Sequence, residues 1–143
     1  MKVVACFRVG IAALAGFLLP MTATWALGEG GNVKIVMICN SASGVDRSAR
    51  DAVCEGFLTQ LRGTYPGHQF DIADSATKDG PGLELRITAA NRTSTAIQLV
   101  WTDADGNRTS GAVEAVSSPD RAVTQSMQLS LFNRALAATP MPQ

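Results

Sequence analysis

The sequence has little charge, few aromatic residues, a single histidine and only three cysteines among its 143 residues. Charged residues make up 17% of the chain, and 12 basic residues balance 12 acidic ones without a block of either sign. Proteins that bind nucleic acid or anionic membrane surfaces carry clustered basic residues. The sequence therefore predicts that neither nucleic acid nor an anionic membrane surface is a partner.

The scarcity of histidine limits the catalytic and metal chemistry open to the chain. His68 is the only imidazole, and it follows Pro66 and Gly67 in a predicted surface turn. Nucleophilic catalysis pairs a nucleophile with a base that a third group holds in place, and zinc sites take three or four protein ligands. We therefore predict no catalytic residues, no metal site and no cofactor, and we favour a protein that is not an enzyme.

Residues 1–26 have the composition of a secretory signal peptide. Lys2 and Arg8 give a positive start, residues 9–19 form an uncharged apolar run, and small residues precede a cleavage site after Ala26. The apolar run is shorter than the roughly 20 residues that a helix needs to span a bilayer. The sequence therefore predicts signal cleavage, no membrane span in the mature chain, and a periplasmic or secreted location.

The cysteines that remain after signal cleavage predict a disulfide bond. Cys6 lies within the predicted signal peptide, which leaves Cys39 and Cys54 as an even pair in an exported protein. Their spacing differs from the C-x-x-C pattern of redox motifs, and two cysteines alone do not make a metal site. A crosslink that closes a loop of about 15 residues contributes roughly 3 kcal/mol to stability. We therefore expect a structural Cys39–Cys54 disulfide.

The apolar pattern predicts one α/β domain over residues 33–138, between a flexible leader at 27–32 and a disordered tail at 139–143. Residues 33–39 are apolar on both faces after Lys34, which is typical of a strand in the centre of a sheet. An amphipathic helix follows over 47–62, with Asp46 or Ser43 as its N-cap and Gly63 as its C-cap. Residues 70–73 predict a second strand, which completes a β-α-β unit.

The second half of the domain predicts an antiparallel meander and a closing helix. Three segments alternate between apolar and polar residues, which indicates strands with one buried face: 83–88, 97–102 and 112–116. In the last of them we expect Val113 and Ala115 to face inward. The motif Ser118-Pro119-Asp120 is typical of a helix start, and Pro140 ends that helix. The predicted fold is therefore of the α+β type, with element order β-α-β-β-β-β-α and both helices packed on one face of a mixed sheet.

The polar face of the meander is the candidate binding surface. An uncovered face of a sheet is a natural surface for a partner, and the sequence places five polar side chains on it: Arg86, Thr88, Gln98, Thr102 and Glu114. Two turns of the meander also carry the motif Asn-Arg-Thr, at Asn91 and Asn107, which a eukaryotic secretory pathway would glycosylate. Residues 103–107 resemble a calcium loop only in their acids, because the EF-hand spacing is missing, and we predict a hairpin turn there.

The order of elements resembles the small α/β modules of bacterial envelope-assembly proteins, such as the amino-terminal domain of the Tol-Pal translocation protein. The resemblance is architectural and covers most of the mature chain without a shared motif. A fold does not by itself imply a function, but one small exported domain with a structural disulfide and no convincing catalytic set predicts a non-catalytic binding or envelope-assembly accessory protein. Its partner would be another envelope or secreted protein, and the sequence leaves the oligomeric state open.

Two alternative functions remain open at the level of the sequence. The first is a small secreted hydrolase that uses Ser41 or Ser43 with His68, because the two serines lie in a loop between a strand and a helix. The second is a chaperone-like or inhibitory protein that offers an exposed strand edge to its partner.

Overall fold

A computed structural model of the chain describes residues 33–76 and 80–143. The predicted signal peptide at 1–26 and the leader at 27–32 therefore lie outside the described residues. Within the described part, no helix is long and apolar enough to cross a membrane. The secondary structure consists of β1 (Val33–Ser41), α1 (Arg47–Thr64), β2 (His68–Ala73), β3 (Gly82–Ala90), β4 (Ser94–Thr102), β5 (Arg108–Ser110), β6 (Glu114–Ser117) and α2 (Gln125–Ala138).

The strands form one mixed sheet of six strands in the order β2-β1-β3-β4-β5, with β6 also paired to β4. Strand β1 runs parallel to both of its neighbours, β2 and β3. Strand β4 is antiparallel to β3, and both β5 and β6 are antiparallel to β4. The apolar β1 thus lies inside the sheet, as its sequence predicts. The predicted α+β class and mixed sheet are confirmed.

Helix α1 is held to the sheet by an apolar face and a disulfide. Asp46 caps its first turn, because the Asp46 carboxylate accepts hydrogen bonds from the backbone amides of Ser48 and Ala49. Cys54 on the buried face of α1 is bonded to Cys39 at the end of β1, with 6.2 Å between their Cα atoms. The predicted disulfide is therefore confirmed. The predicted C-cap at Gly63 is wrong, since the helix continues to Thr64.

Helix α2 begins later than its sequence motif predicts. The prediction of a start at Ser118 is wrong: the helix starts at Gln125, with Thr124 as its N-cap. The backbone amide of Ser118 donates to the carbonyl of Thr93, and the amide of Val123 donates to the carbonyl of Arg92. These bonds tie the segment to the turn between β3 and β4, so a helix cannot form there until the chain has left that turn.

The last predicted strand, at residues 112–116, corresponds to β6 alone, and β5 is an additional strand that the sequence did not predict. Both pair with β4, and the chain leaves the sheet between them, so that Val113 is exposed instead of buried. Strand β6 then places Val116 against the core, which is the opposite alternation to the predicted one. Gly111 begins this excursion, and a Cβ atom there would clash with the side chain of Thr139. Any larger residue at position 111 would therefore force the buried Thr139 side chain at the end of α2 to move.

The two faces of the sheet differ completely. Helices α1 and α2 cover one face, where they meet through the rings of Phe57 and Phe132, whose centroids lie 5.3 Å apart. The predicted packing of both helices on one face is thereby confirmed. We call the opposite side the open face; the pairing of the strands places on it Val36, Ile38, Asn40, Glu84, Arg86, Gln98, Val100, Thr102, Arg108 and Ser110.

The chain after α2 also contacts the domain. Met141 packs against the hydrophobic core, and its backbone amide donates to the Tyr65 hydroxyl at 3.4 Å. The disorder that the sequence predicts for residues 139–143 stays a prediction.

Candidate functional site

A cluster of charged side chains occupies the centre of the open face. The carboxylate of Glu84 accepts hydrogen bonds from Nδ2 of Asn40 at 2.9 Å and from Nε and Nη2 of Arg86 at 2.9 and 3.1 Å. Nη2 of Arg108 donates to Oε2 of the same carboxylate, the oxygen that also accepts from Nη2 of Arg86. The side chain of Glu84 is only 12% exposed, whereas those of Arg86 and Arg108 are 42% and 54% exposed. Glu84 is thus a nearly buried anion held by three side chains.

Strand pairing explains why these side chains meet. Asn40 pairs with Arg86, and Glu84 pairs with Val100, so neighbouring strands place them on the same face. Arg108 on β5 lies two strands away from Glu84, and their ion pair therefore crosses β4. Val100 lies on β4 beneath this crossing and is only 1% exposed. The charged cluster therefore also shields an apolar side chain from water.

The cluster is ionised at neutral pH. The hydrogen bonds from Arg86 lower the pKa of Glu84 most, the bond from Asn40 and the charges of Arg86 and Arg108 lower it further, and burial opposes them. The Glu84 carboxylate in turn raises the pKa of Arg86. Because two guanidinium groups face one carboxylate, the cluster carries an excess of positive charge.

Glu84→Gln is expected to lower stability at pH 7 and to lose this effect in acid. The pKa of Glu84 in the folded protein lies below its ordinary value of 4.5. Its ionised form therefore contributes stability that is fully present above pH 4.5 and is lost as the pH falls through the lower, folded pKa. Urea unfolding of the variant and the wild type at pH 7 and pH 3 measures this. A difference between the two proteins that is the same at both pH values would contradict the ionised cluster.

A groove of about 420 Å³ lies beside the cluster on the open face. Its apolar part is formed by Val36, Ile38 and Gly82. Its polar rim includes the charged cluster and Thr102. Small-molecule sites in proteins combine an apolar floor with a few fixed polar groups in a similar way.

Three of the five residues of the predicted binding surface meet on the open face: Arg86, Gln98 and Thr102. Thr88 lies in a β-bulge between Ile87 and Ala89, and its hydroxyl donates to the carbonyl of Ala96. Glu114 lies on the helix-covered face instead, where it pairs with Arg134 of α2 at 3.3 Å. Its predicted position is wrong because the chain leaves the sheet before β6 and returns with the alternation reversed.

The sequence prediction missed the acceptor at the centre of the cluster. Glu84 alternates with Leu83 and Leu85, so its place beside Arg86 on the polar face was readable from the sequence. Arg108 carried no such signal, because it lies in a segment that reads as a turn and enters the cluster only through the pairing of β5 with β4.

The structure separates the residues of the hydrolase alternative. His68 pairs with Val33 at the start of β1, and Ser41 lies at the end of β1. Eight residues of extended strand correspond to about 26 Å, far beyond the reach of a hydrogen bond. Ser43 follows Ser41 at the same end of the sheet, and His68 instead lies near the rings of Tyr65 and Phe70. The hydrolase hypothesis is therefore wrong in its geometry.

The sheet edges bear on the alternative in which a partner adds a strand. Strands β5 and β6 have only three and four residues, which leaves β2, with six, as the longer edge. Nη2 of Arg62 donates to the carbonyl of Phe70 at 2.9 Å on β2. A charged side chain bonded to an edge carbonyl hinders strand addition there, so the open face is the better candidate surface.

Both polar turns of the meander are explained by local hydrogen bonds. Asp103 accepts from the amides of Asp105 and Asn107, and the side-chain amide of Asn107 contributes most to the lowered pKa of Asp103. Gly106 has φ of +85°, as a hairpin turn requires. In the other turn, Oδ1 of Asn91 accepts from two backbone amides. The described residues contain no group of three or more His, Cys, Asp or Glu side chains suited to hold a metal ion.

Comparison with known proteins shows similarity of fold without similarity of sequence. No protein-family model matches the chain, and its sequence matches no curated protein. A single-substitution variant of the PelC dodecamer from Paraburkholderia phytofirmans matches with a TM-score of 0.60 and 13% identity, over 78% of this chain and 89% of the PelC chain. A second PelC dodecamer structure from that organism, in another crystal form, matches with a TM-score of 0.60 and 12% identity, over 78% and 90% of the two chains.

A weaker match is protein XCC0632 from Xanthomonas campestris, with a TM-score of 0.35 and 12% identity over 73% of this chain and 77% of that one. The two PelC matches show that the chain has the fold of PelC. At 12–13% identity this similarity concerns the fold alone. The disulfide is consistent with an extracytoplasmic location, because such bonds persist mainly in oxidising compartments.

Proposed function

We propose that this chain is an exported, non-catalytic accessory protein of the cell envelope that binds a partner protein through the open face of its sheet. The observation that carries the proposal is the contrast between the two faces. One face is filled by α1 and α2, whereas the other presents a groove and a cluster of charged side chains. Charges fixed in this way favour one partner over others.

Two further observations support export and an accessory role. The Cys39–Cys54 disulfide fits the predicted signal peptide at residues 1–26, since both belong to proteins that leave the cytoplasm. Of the proteins with this fold, PelC forms dodecamers. We therefore include a second copy of this chain among the proposed partners, beside a different envelope or secreted protein.

The partner surface that we propose is centred on Arg86, Gln98 and Thr102. Arg86 belongs to the charged cluster, Gln98 is half-buried and donates to the carbonyl of Gly111, and Thr102 lies at the rim of the groove. Of the remaining residues in the predicted surface, Thr88 lies in the bulge of β3, and Glu114 lies outside the proposed surface, against α2.

Crosslinking in cells, with mass spectrometry of the captured proteins, tests this proposal with two matched variants. Thr102→Glu adds a negative charge to the open face, and Ser130→Glu adds the same charge to the exposed side of α2. We expect a reproducible partner with the wild type, at least tenfold less capture with Thr102→Glu, and unchanged capture with Ser130→Glu. Mass spectrometry separates a second copy from a different protein.

The opposite pattern, with capture lost for Ser130→Glu and retained for Thr102→Glu, would place the partner on the helices and contradict the proposal. A wild type that captures no partner, under conditions that capture a known envelope complex, would contradict it as well. Far-UV circular dichroism of both purified variants provides the control for folding.

A further inference from the structure

We infer that the groove on the open face is a binding site for a small organic carboxylate, with Arg86 and Arg108 as the groups that hold its carboxylate. The inference concerns a small ligand, whose site shares Arg86 and the groove with the partner surface proposed above; its test uses the purified chain and does not require that partner. It follows from the charge of the cluster, from the donors that the cluster leaves free, and from the apolar floor beside them.

The first observation in favour of a carboxylate ligand is the net charge of the cluster. Glu84 neutralises one of the two guanidinium groups around it, so Arg86 and Arg108 together retain one positive charge that Glu84 does not balance. Both guanidinium groups are about half exposed, although the carboxylate between them is nearly buried. A monoanion in the groove would complete the charge balance, whereas a dianion would leave unbalanced negative charge beside Glu84.

The second observation is the geometry of the hydrogen-bond donors on the two arginines. Arg86 uses Nε and Nη2 for Glu84, and Arg108 uses Nη2. Within the described part of the chain, Nη1 of Arg86 and both Nε and Nη1 of Arg108 donate no hydrogen bond. Glu84 also holds both guanidinium groups in place, which lowers the entropy cost of binding a ligand. Planar guanidinium groups that are fixed in this way match the geometry of a carboxylate.

The floor of the groove indicates the rest of the ligand. Val36, Ile38 and Gly82 line it next to the cluster, and the groove volume of about 420 Å³ falls in the range of small-molecule sites, roughly 300–1,000 Å³. A ligand that satisfies both parts of the groove has a carboxylate at one end and a compact apolar or ring-shaped body at the other.

Nuclear magnetic resonance titration of the purified chain with benzoate tests the site, with benzamide and inorganic phosphate as comparison ligands. Benzamide has the same ring without the charge, and phosphate has charge without the ring. We expect benzoate to shift the Nε–H resonances of Arg86 and Arg108 in a saturable way. We expect benzamide to leave them unchanged and phosphate to bind more weakly than benzoate.

Variants of Arg108 connect the binding to the cluster. Because Asn40 and Arg86 still hold Glu84 in Arg108→Gln, we expect the variant to fold and its affinity for benzoate to fall by about tenfold or more. Arg108→Lys retains the charge without the fork and should lose less. Arg92→Gln removes the same charge from an exposed residue at the far end of β3 and should bind like the wild type.

Three results would overturn the inference. The first is the absence of saturable shifts at Arg86 and Arg108 with benzoate. The second is equal binding of benzamide, which would show that the carboxylate is not recognised. The third is tighter binding of phosphate, which would assign the site to inorganic anions.

Discussion

Replacing Trp101 with alanine is expected to lower the free energy of unfolding by about 3–5 kcal/mol, the range for removing a buried aromatic side chain from a core. Trp101 is only 1% exposed and lies on β4, where it faces the helices. Its ring contacts Tyr65 edge to face, with centroids 6.3 Å apart, and its Nε1 donates to the carbonyl of Thr139 at 2.8 Å. A single side chain thus joins the sheet to the ends of both helices.

A second variant separates the contributions of Trp101, and a third at a neighbouring exposed residue is the control. Trp101→Phe retains an aromatic ring but leaves the buried carbonyl of Thr139 without its donor, so we expect a smaller loss of about 1–3 kcal/mol. Thr109→Ala, at the exposed position opposite Trp101 on β5, should remain within about 0.5 kcal/mol of the wild type.

Urea unfolding followed by far-UV circular dichroism measures these differences. Fluorescence is unsuitable, since Trp25 of the two tryptophans lies in the predicted signal peptide and both Trp101 variants remove the other. If Trp101→Ala were within about 1 kcal/mol of the wild type, the core described above would be incorrect.

Loss of the Cys39–Cys54 disulfide is expected to have the second largest effect, about 3 kcal/mol. The bond joins residues 15 positions apart and fastens the end of β1 to the buried face of α1. In the chain-entropy account, removing it gives the unfolded chain more freedom without changing the native contacts. For a domain of this size, the midpoint of thermal unfolding should fall by roughly 10–20 °C.

The measurement uses the chain from Leu27 onward, so that Cys6 of the predicted signal peptide is absent. Thermal unfolding of the reduced wild type and of the double variant Cys39→Ala/Cys54→Ala should give similar midpoints, both well below that of the oxidised protein. Titration of thiols in the denatured, unreduced protein should find none. Two free thiols, or a midpoint that reduction does not change, would refute the proposed contribution of the bond.

Features that depend on local pattern or on compartment could be predicted from the sequence. The alternation of Ile97, Leu99 and Trp101 with polar residues placed all three in the core, where each is at most 1% exposed. The disulfide followed from the parity of cysteines in a chain with a predicted signal peptide. Both predictions rest on short-range regularities that the fold does not override.

Features that depend on contacts distant in the sequence could not be predicted. Ser118-Pro119-Asp120 carries the local signature of a helix start, yet bonds to Arg92 and Thr93 hold this segment in another conformation. Glu114 lies on the face opposite to the predicted one, because the chain leaves the sheet after β5 and the alternation is reversed when it returns as β6. These are cases in which tertiary hydrogen bonds outweigh local propensity.

For the same reason, only part of the candidate site could be predicted from the sequence. Arg86, Gln98 and Thr102 share the open face because alternation along two neighbouring strands is regular. The position of Arg108 depends on β5, a strand of three residues that has no sequence signature. Its ion pair with Glu84 crosses an intervening strand, and such a contact becomes visible only when the order of strands is known.

Site-specific photo-crosslinking in cells is the most direct test of the claim that the open face binds a partner. A photoreactive residue is placed at Thr102 or Ser110 on the open face and, for comparison, at Ser126 or Ser130 on α2. We expect a crosslinked partner from the two open-face positions and none from the two helix positions. Capture from α2 alone would contradict the claim, because the partner would then contact the exposed side of α2 instead of the open face.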